Sequence, residues 1–309
     1  MSRIAFLYPG QGAQEMGMAK DFYENSSEAR ELFDQASEML DLDLCKLCFE
    51  ENDLLDKTEY TQAAMVAACL AITGELKKRG LHPDMTAGLS LGEYCAIAAA
   101  GGMSDLDAVR TVRARGIFME HAAPEGTGAM SAILGMENSS VEKVMQEIDG
   151  AYIANYNCPG QIVITGEKEA VERAGKALKE AGARKVLPLK VSGPFHSPMM
   201  ENAGEKLKKV LEEVTLKKPS VPYVTNVTAE LVTEKEPIRE LLVKQVSSSV
   251  CWEQSIRNMI AEGIDTFVEI GPGKTLSSFM KKTDRNVTMY RVGTWEEAET
   301  VCSEILKGI

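Results

Sequence analysis

One stretch constrains this chain more than any other. "DMTAGLSLGEYCAIAAAGG", residues 84–102, sets a serine between two glycines. A short apolar run precedes the serine and small apolar residues follow it, which predicts a buried strand turning sharply into a buried helix. Gly88 and Gly92 permit such a turn, because side chains there would meet neighbouring backbone. The pattern G-x-S-x-G places Ser90 where a nucleophile stands at the head of an α/β sheet. The competing role is an N-cap, with the Ser90 hydroxyl satisfying free amides at the helix start.

The remaining chain suits an α/β protein. Its 309 residues suffice for one large α/β domain, alone or with a smaller companion. "RIAFLYPG" (3–10) predicts a first buried strand running into a glycine turn, and helical patterns follow at "SSEARELFDQASEMLDL" and "TQAAMVAACLAITGELKKRG". "SDLDAVRTVRARGIFMEHA" predicts a long helix opening with a capping box from Ser104 to Asp107. From about Gly126 the texture changes to a β-α-β-β-α-β order, with "NYN" and "QIVITG" as strands around Cys158-Pro159-Gly160. That order is the split βαβ pattern of a ferredoxin-like module, and it fits a small inserted unit over residues 127–192.

Composition narrows the partners. The apolar run before Pro9 is too short for a signal-peptide core, and "AAMVAACLAI" from Ala63 is about half of the ~20 residues a membrane span needs, so a cytoplasmic protein without a membrane partner is expected. A formal charge of −12 argues against nucleic acid, which requires a surplus of Lys and Arg. The seven cysteines are scattered; the only C-x-x-C, Cys45 and Cys48, has no second pair to complete a zinc site, so no metal is expected. "GPGKT" at 271–275 lacks the first glycine of a phosphate loop, where Val268 stands, and Gly10, Gly12 and Gly17 miss the dinucleotide spacing. Both stretches are expected to be tight turns at strand ends.

A serine hydroxyl needs a base, and only three histidines are available. His82 precedes the strand on the side away from Ser90, and His121 falls near a helix end beside Glu120. His196 lies in "VSGPFHSPMM", an irregular segment stiffened by Pro194 and Pro198 where the chain leaves the small unit, which makes it the candidate base; helix capping is its other role. No acid stands out as a third member, so either an Asp or Glu or a backbone carbonyl orients it. Arg115 has Val112, Phe118 and Met119 as helical neighbours, whereas Arg110 lies near Asp107 and Arg113 near Glu120. An arginine on an apolar face either pairs with a structural acid or awaits a substrate carboxylate, which its donor fork matches in a bidentate way.

Taken together, "PGQGAQEMGM", "TQAA" at Thr61, "GLSLGEYCA", "RARGIFM", "NYNCPGQIVITG", "VSGPFHSPMM" and "VEIGPGKTL" resemble the malonyl-CoA:acyl-carrier-protein transacylases of fatty-acid synthesis and the related acyltransferase domains of polyketide synthases. The resemblance covers nearly the whole chain, in order and spacing. It implies an α/β-hydrolase-like core with a mostly parallel sheet, formed by residues 1–126 and 193–309, and an inserted ferredoxin-like subdomain over 127–192. It further implies that Ser90 takes the acyl group, that His196 is its base, and that the amides of Gln11 and Leu91 form the oxyanion hole. Arg115 would pair with the malonyl carboxylate, and Phe195 resembles the aromatic residue found there in malonyl-selective members. Asn157 and Gln161 fall in a motif of the small unit without an assigned role.

Two positions depart from the family pattern. Leu89 stands where the family usually has histidine, and Cys251 precedes Trp252 where it ordinarily has glutamine. That glutamine supports the histidine through its backbone carbonyl, which Cys251 would retain. The implied reaction is a ping-pong transfer of malonyl from malonyl-CoA, a coenzyme A thioester, to acyl carrier protein, without a cofactor and by a monomer. Its rivals are a serine hydrolase with the same nucleophile and a catalytically retired subunit of a larger synthase.

Overall fold

The computed structural model describes residues 2–124, 126–191 and 193–307. Its strands are β1 (Ile4–Tyr8), β2 (Met85–Gly88), β3 (Gly128–Leu134), β4 (Ala151–Cys158), β5 (Gln161–Glu167), β6 (Lys185–Pro188), β7 (Tyr223–Val224), β8 (Leu231–Val232), β9 (Thr266–Ile270) and β10 (Thr288–Val292). They form two sheets.

The larger sheet runs β10-β9-β1-β2-β7-β8 and is parallel except for β8. Every residue of β1, β2 and β9 is buried, as expected of parallel strands covered on both faces. The alternation of β1 divides the core. Phe6 and Tyr8 pack with the helices Thr58–Lys78 and Gly92–Ala99, while Ala5 and Leu7 pack with Trp252, Ile256 and Leu276 behind the sheet. The Asp105–Glu120 helix starts at the expected capping box, where Ser104 Oγ accepts from the Asp107 N–H at 3.1 Å.

The smaller sheet is antiparallel, in the order β4-β5-β3-β6. With the helices Asn138–Met145 and Lys168–Glu180 on one face, it has the ferredoxin-like arrangement. Its other face turns Met130, Ala154 and Val163 toward the main core. Ser192, the last residue of the inserted unit expected from the sequence, lies outside the described residues. No described helix is long and apolar enough to cross a membrane.

The "GPGKT" stretch forms the turn after β9, with Gly271 and Gly273 at positive φ. Glu269 itself accepts the N–H groups of Leu276 and Ser277 at 2.9 and 2.8 Å, so the N-terminus of the Thr275–Thr283 helix is already occupied by an acid.

Candidate active site

The site begins at the turn between β2 and the Gly92–Ala99 helix. Ser90 has φ +55, a left-handed conformation that raises its side chain above the sheet. A Cβ on Gly88 would fall 1.9 Å from the Gly92 carbonyl oxygen, and one on Gly92 would fall 2.4 Å from that of Tyr8. Both contacts are with backbone, so only glycine fits. Asn226 clamps the turn: its Oδ1 accepts the Ser90 N–H and its Nδ2 donates to the Gly88 carbonyl, both at 2.7 Å. The helix N-cap is Leu91, and the Ser90 hydroxyl does no capping. It lies 2.7 Å from His196 Nε2.

His196 also has positive φ, +58, in a turn fastened by a Ser197 hydroxyl bond to the Pro194 carbonyl at 2.6 Å. Its Nδ1 faces two carbonyls, those of Gln245 at 2.9 Å and Ser248 at 3.2 Å. Carbonyls only accept, so Nδ1 carries the proton and Nε2 is left bare toward the serine. Burial, reinforced by the Arg115 charge, lowers the imidazole from 6.5 to about 4, while the two carbonyls act in the opposite direction. The ring is therefore neutral at physiological pH. His82 and His121 are exposed on the surface.

The carbonyl expected from Cys251 is not the one that orients the histidine. Cys251 begins the Trp252–Ala261 helix, and its carbonyl accepts from the Ser255 N–H at 2.9 Å and the Ser255 hydroxyl at 2.8 Å. Gln245, at the end of the Ile238–Gln245 helix, takes that position instead.

Arg115 is only 1 % exposed. Its Nη1 donates to Gln62 Oε1 at 2.7 Å, and its Nη2 to Gln245 Oε1 at 3.0 Å and Ser90 Oγ at 3.1 Å. Nε has no partner. The Tyr94 ring lies 5.7 Å away. Among the described residues no carboxylate touches the guanidinium, whereas Arg110 pairs with Asp107 at 3.0 Å and Arg113 with Glu59 at 3.2 Å. Glu59, on the neighbouring helix, takes the place expected of Glu120. A desolvated arginine held by two carboxamide oxygens keeps its charge unneutralised.

Above these groups lies a cavity of about 540 Å³. Gln11, Leu91, Phe195 and Asn157 line it together with Ser90 and His196, and Met130 and Val163 bring the small sheet to its wall. Among the described residues neither the Gln11 nor the Leu91 backbone N–H has an acceptor. The Gln11 side chain is tied to Thr58 Oγ1 at 3.0 Å, which fixes the loop after β1. Sequence reasoning named Ser90, His196, Arg115, Gln11, Leu91 and Phe195, and the fold brings all six together. It missed Asn226, Gln245 and Glu93. Gln62 lay in plain view within "TQAA".

The arrangement can attack a carbonyl, hold an oxyanion and receive a carboxylate, in a pocket wide enough for a thioester. A family model described as acyl transferase domain matches residues 5–304. The malonyl CoA-acyl carrier protein transacylase of Bacillus subtilis (strain 168) is 48% identical over 304 residues, covering 97% of this chain and 96% of that protein. The crystal structure of the Clostridium perfringens malonyl CoA-acyl carrier protein transacylase superposes with TM-score 0.95 at 41% identity, covering 99% and 98% of the two chains. A malonyl-transacylase solved in complex with its type II PKS acyl-carrier protein gives TM-score 0.94 at 38% identity, covering 98% of this chain and 100% of that one.

Proposed function

Because this chain belongs to the acyl transferase domain family, we propose that it moves a malonyl group from malonyl-CoA to the phosphopantetheine thiol of an acyl carrier protein, through an ester on Ser90. It is an acyltransferase. The observation that carries the mechanism is the 2.7 Å contact between the Ser90 hydroxyl and a neutral, buried His196, beside an arginine that has no acid partner among the described residues.

Ser90 Oγ attacks the thioester carbonyl while its proton passes to His196 Nε2. The carbonyl oxygen becomes an oxyanion and is held by the Gln11 and Leu91 N–H groups, which have no acceptor among the described residues. Collapse breaks the carbon–sulfur bond, and the departing thiolate takes the proton back from His196. In the second half the carrier thiol gives its proton to His196 as its sulfur attacks the ester carbonyl, and the bond to Ser90 Oγ breaks as that oxygen takes the proton back from His196. A thioester is exchanged for a thioester, so the transfer is nearly balanced and calls for no cofactor. Arg115, bonded to the Ser90 hydroxyl, meets the malonyl carboxylate, and Phe195 lines the cavity that admits it.

The division into a core of residues 1–126 and 193–309 and a small subdomain of 127–192 belongs to the same reading. It is supported by the separate sheet of β3 to β6, whose inner face walls the cavity and screens the ester from water. Mass spectrometry after incubation with malonyl-CoA tests the reading. A malonyl adduct on Ser90, discharged by carrier thiol and absent from Ser90→Ala, is the expected result; an adduct at the wild-type level in that variant refutes it.

A further inference from the structure

Gln245 touches three parts of the site at once, and only its backbone carbonyl is used in the mechanism above. The residue is fully buried. Its Oε1 accepts from Arg115 Nη2 at 3.0 Å. Its Nε2 donates to the Ser90 carbonyl at 2.9 Å and to Glu93 Oε2 at 2.6 Å, with Asn226 Oδ1 at 3.5 Å.

A carboxamide has a donor end and an acceptor end, and these neighbours admit one orientation. Every group facing Nε2 is an acceptor, and the group facing Oε1 is a cationic donor. Turned over, the amide would set N–H against guanidinium and oxygen against carboxylate, at a residue fully buried in the protein. The shortest of these bonds is the one to Glu93, which is itself fully buried on the helix that starts at the nucleophile turn. Glu93 also accepts the Asn226 N–H at 3.2 Å, so the acid is tied to the clamp that holds Ser90. It makes no direct bond to Arg115 and does not block the guanidinium.

We infer that Gln245 is a positioning residue for Arg115, and that Glu93 sets the sense of its carboxamide. The preference for a carboxylated acyl group then depends on the chain Glu93–Gln245–Arg115, not on the arginine alone. This rests on the reading of Arg115 as the partner of the malonyl carboxylate, given above.

The test compares Gln245→Met, Glu93→Met, Glu93→Gln and Arg115→Ala. The readouts are kcat/KM for malonyl-CoA and the acylation rate of Ser90 by p-nitrophenyl acetate, a neutral ester. Methionine at 245 keeps the backbone carbonyl for His196 and deletes only the amide. Gln245→Met and Glu93→Met are expected to lower malonyl transfer about 10- to 100-fold more than neutral-ester acylation, mainly through KM, as befits a misaligned charged hydrogen bond. Glu93→Gln, which keeps an acceptor oxygen, restores most of the malonyl preference lost in Glu93→Met. Combining both methionine changes adds little to either one, because they break the same chain.

If the methionine variants lower both rates equally while Arg115→Ala selectively lowers malonyl transfer, the positioning role is overturned and the reading of Arg115 stands. If Arg115→Ala lowers both equally, that reading falls and takes the inference with it. Should Glu93→Met fail to fold, the comparison of Gln245→Met with Arg115→Ala decides alone.

Discussion

His196 and Glu93 are both buried and both feel the Arg115 charge, yet burial moves them in opposite directions. The imidazole falls from 6.5 to about 4, and the carboxyl rises from 4.5 to about 7, with the Gln245 and Asn226 hydrogen bonds opposing the rise. In the unfolded chain His196 takes its proton first as pH drops, so its share of stability is complete above 6.5 and is lost between 6.5 and 4. Glu93 holds its proton longer when folded, so its share is complete below 4.5 and is lost as pH rises from 4.5 to 7. Each span corresponds to about 3–4 kcal/mol at ~1.4 kcal/mol per pKa unit. Over the range they share, the two slopes offset one another. Urea unfolding across pH should therefore show the wild type nearly level in that window. His196→Asn, chosen because asparagine tolerates positive φ, should lose stability toward neutral pH, and Glu93→Gln should lose it toward acid. Three parallel curves would show that the two groups do not carry these shifts.

At the scale of elements, the nucleophile turn was legible because its geometry leaves so few residue choices. The Cβ missing from Gly92 would strike the carbonyls of Tyr8 and Pro9, at 2.4 and 2.9 Å, and neither can withdraw without moving β1. Gly92→Ala should cost about 1–3 kcal/mol or more and displace Ser90. Gly74, within the Thr58–Lys78 helix, has open space around it, so Gly74→Ala should instead gain about 0.5–1 kcal/mol. Thermal unfolding of the two variants distinguishes a glycine that a close approach requires from one that is merely tolerated. The small sheet was legible for a similar reason, since Pro159 and Gly160 punctuate its strands. His196 was found by elimination among three histidines and by its prolines. The carboxamides around the site were harder to read. Gln62, inside "TQAA", holds Arg115, Asn226 holds the Ser90 turn, and the Gln245 carbonyl faces His196; they come from two helices and a loop and meet only after folding. The misplacement of the supporting carbonyl on Cys251 has the same origin: every residue has a carbonyl, so side-chain identity does not say which one is used.

Seen whole, the molecule builds its centre from distant stretches of chain. Ser90 comes from the first third, Arg115 from the long helix after it, His196 from the return out of the small sheet, and Gln245 from a helix later still. The sheet beneath them is assembled in the same way, for β1 lies between β2 and β9, with Ile4 beside Thr266. Closing so long a loop precedes any reward from the pairing, so refolding from urea should take on the order of seconds or longer. Reactivity of Ser90 toward a neutral ester should return with the same time constant as the sheet signal in circular dichroism; recovery of reactivity ahead of the sheet would contradict this. The placement of β1 also bears on the chain as it is made. The strand is made before the other described strands of its sheet, it is buried in the finished molecule, and one of its edges stays open until β9 has been translated. Every catalytic group has been translated before Thr266, yet until then the strand beneath them has no neighbour on that side, and a ribosome stalled there holds all the chemistry and no enzyme.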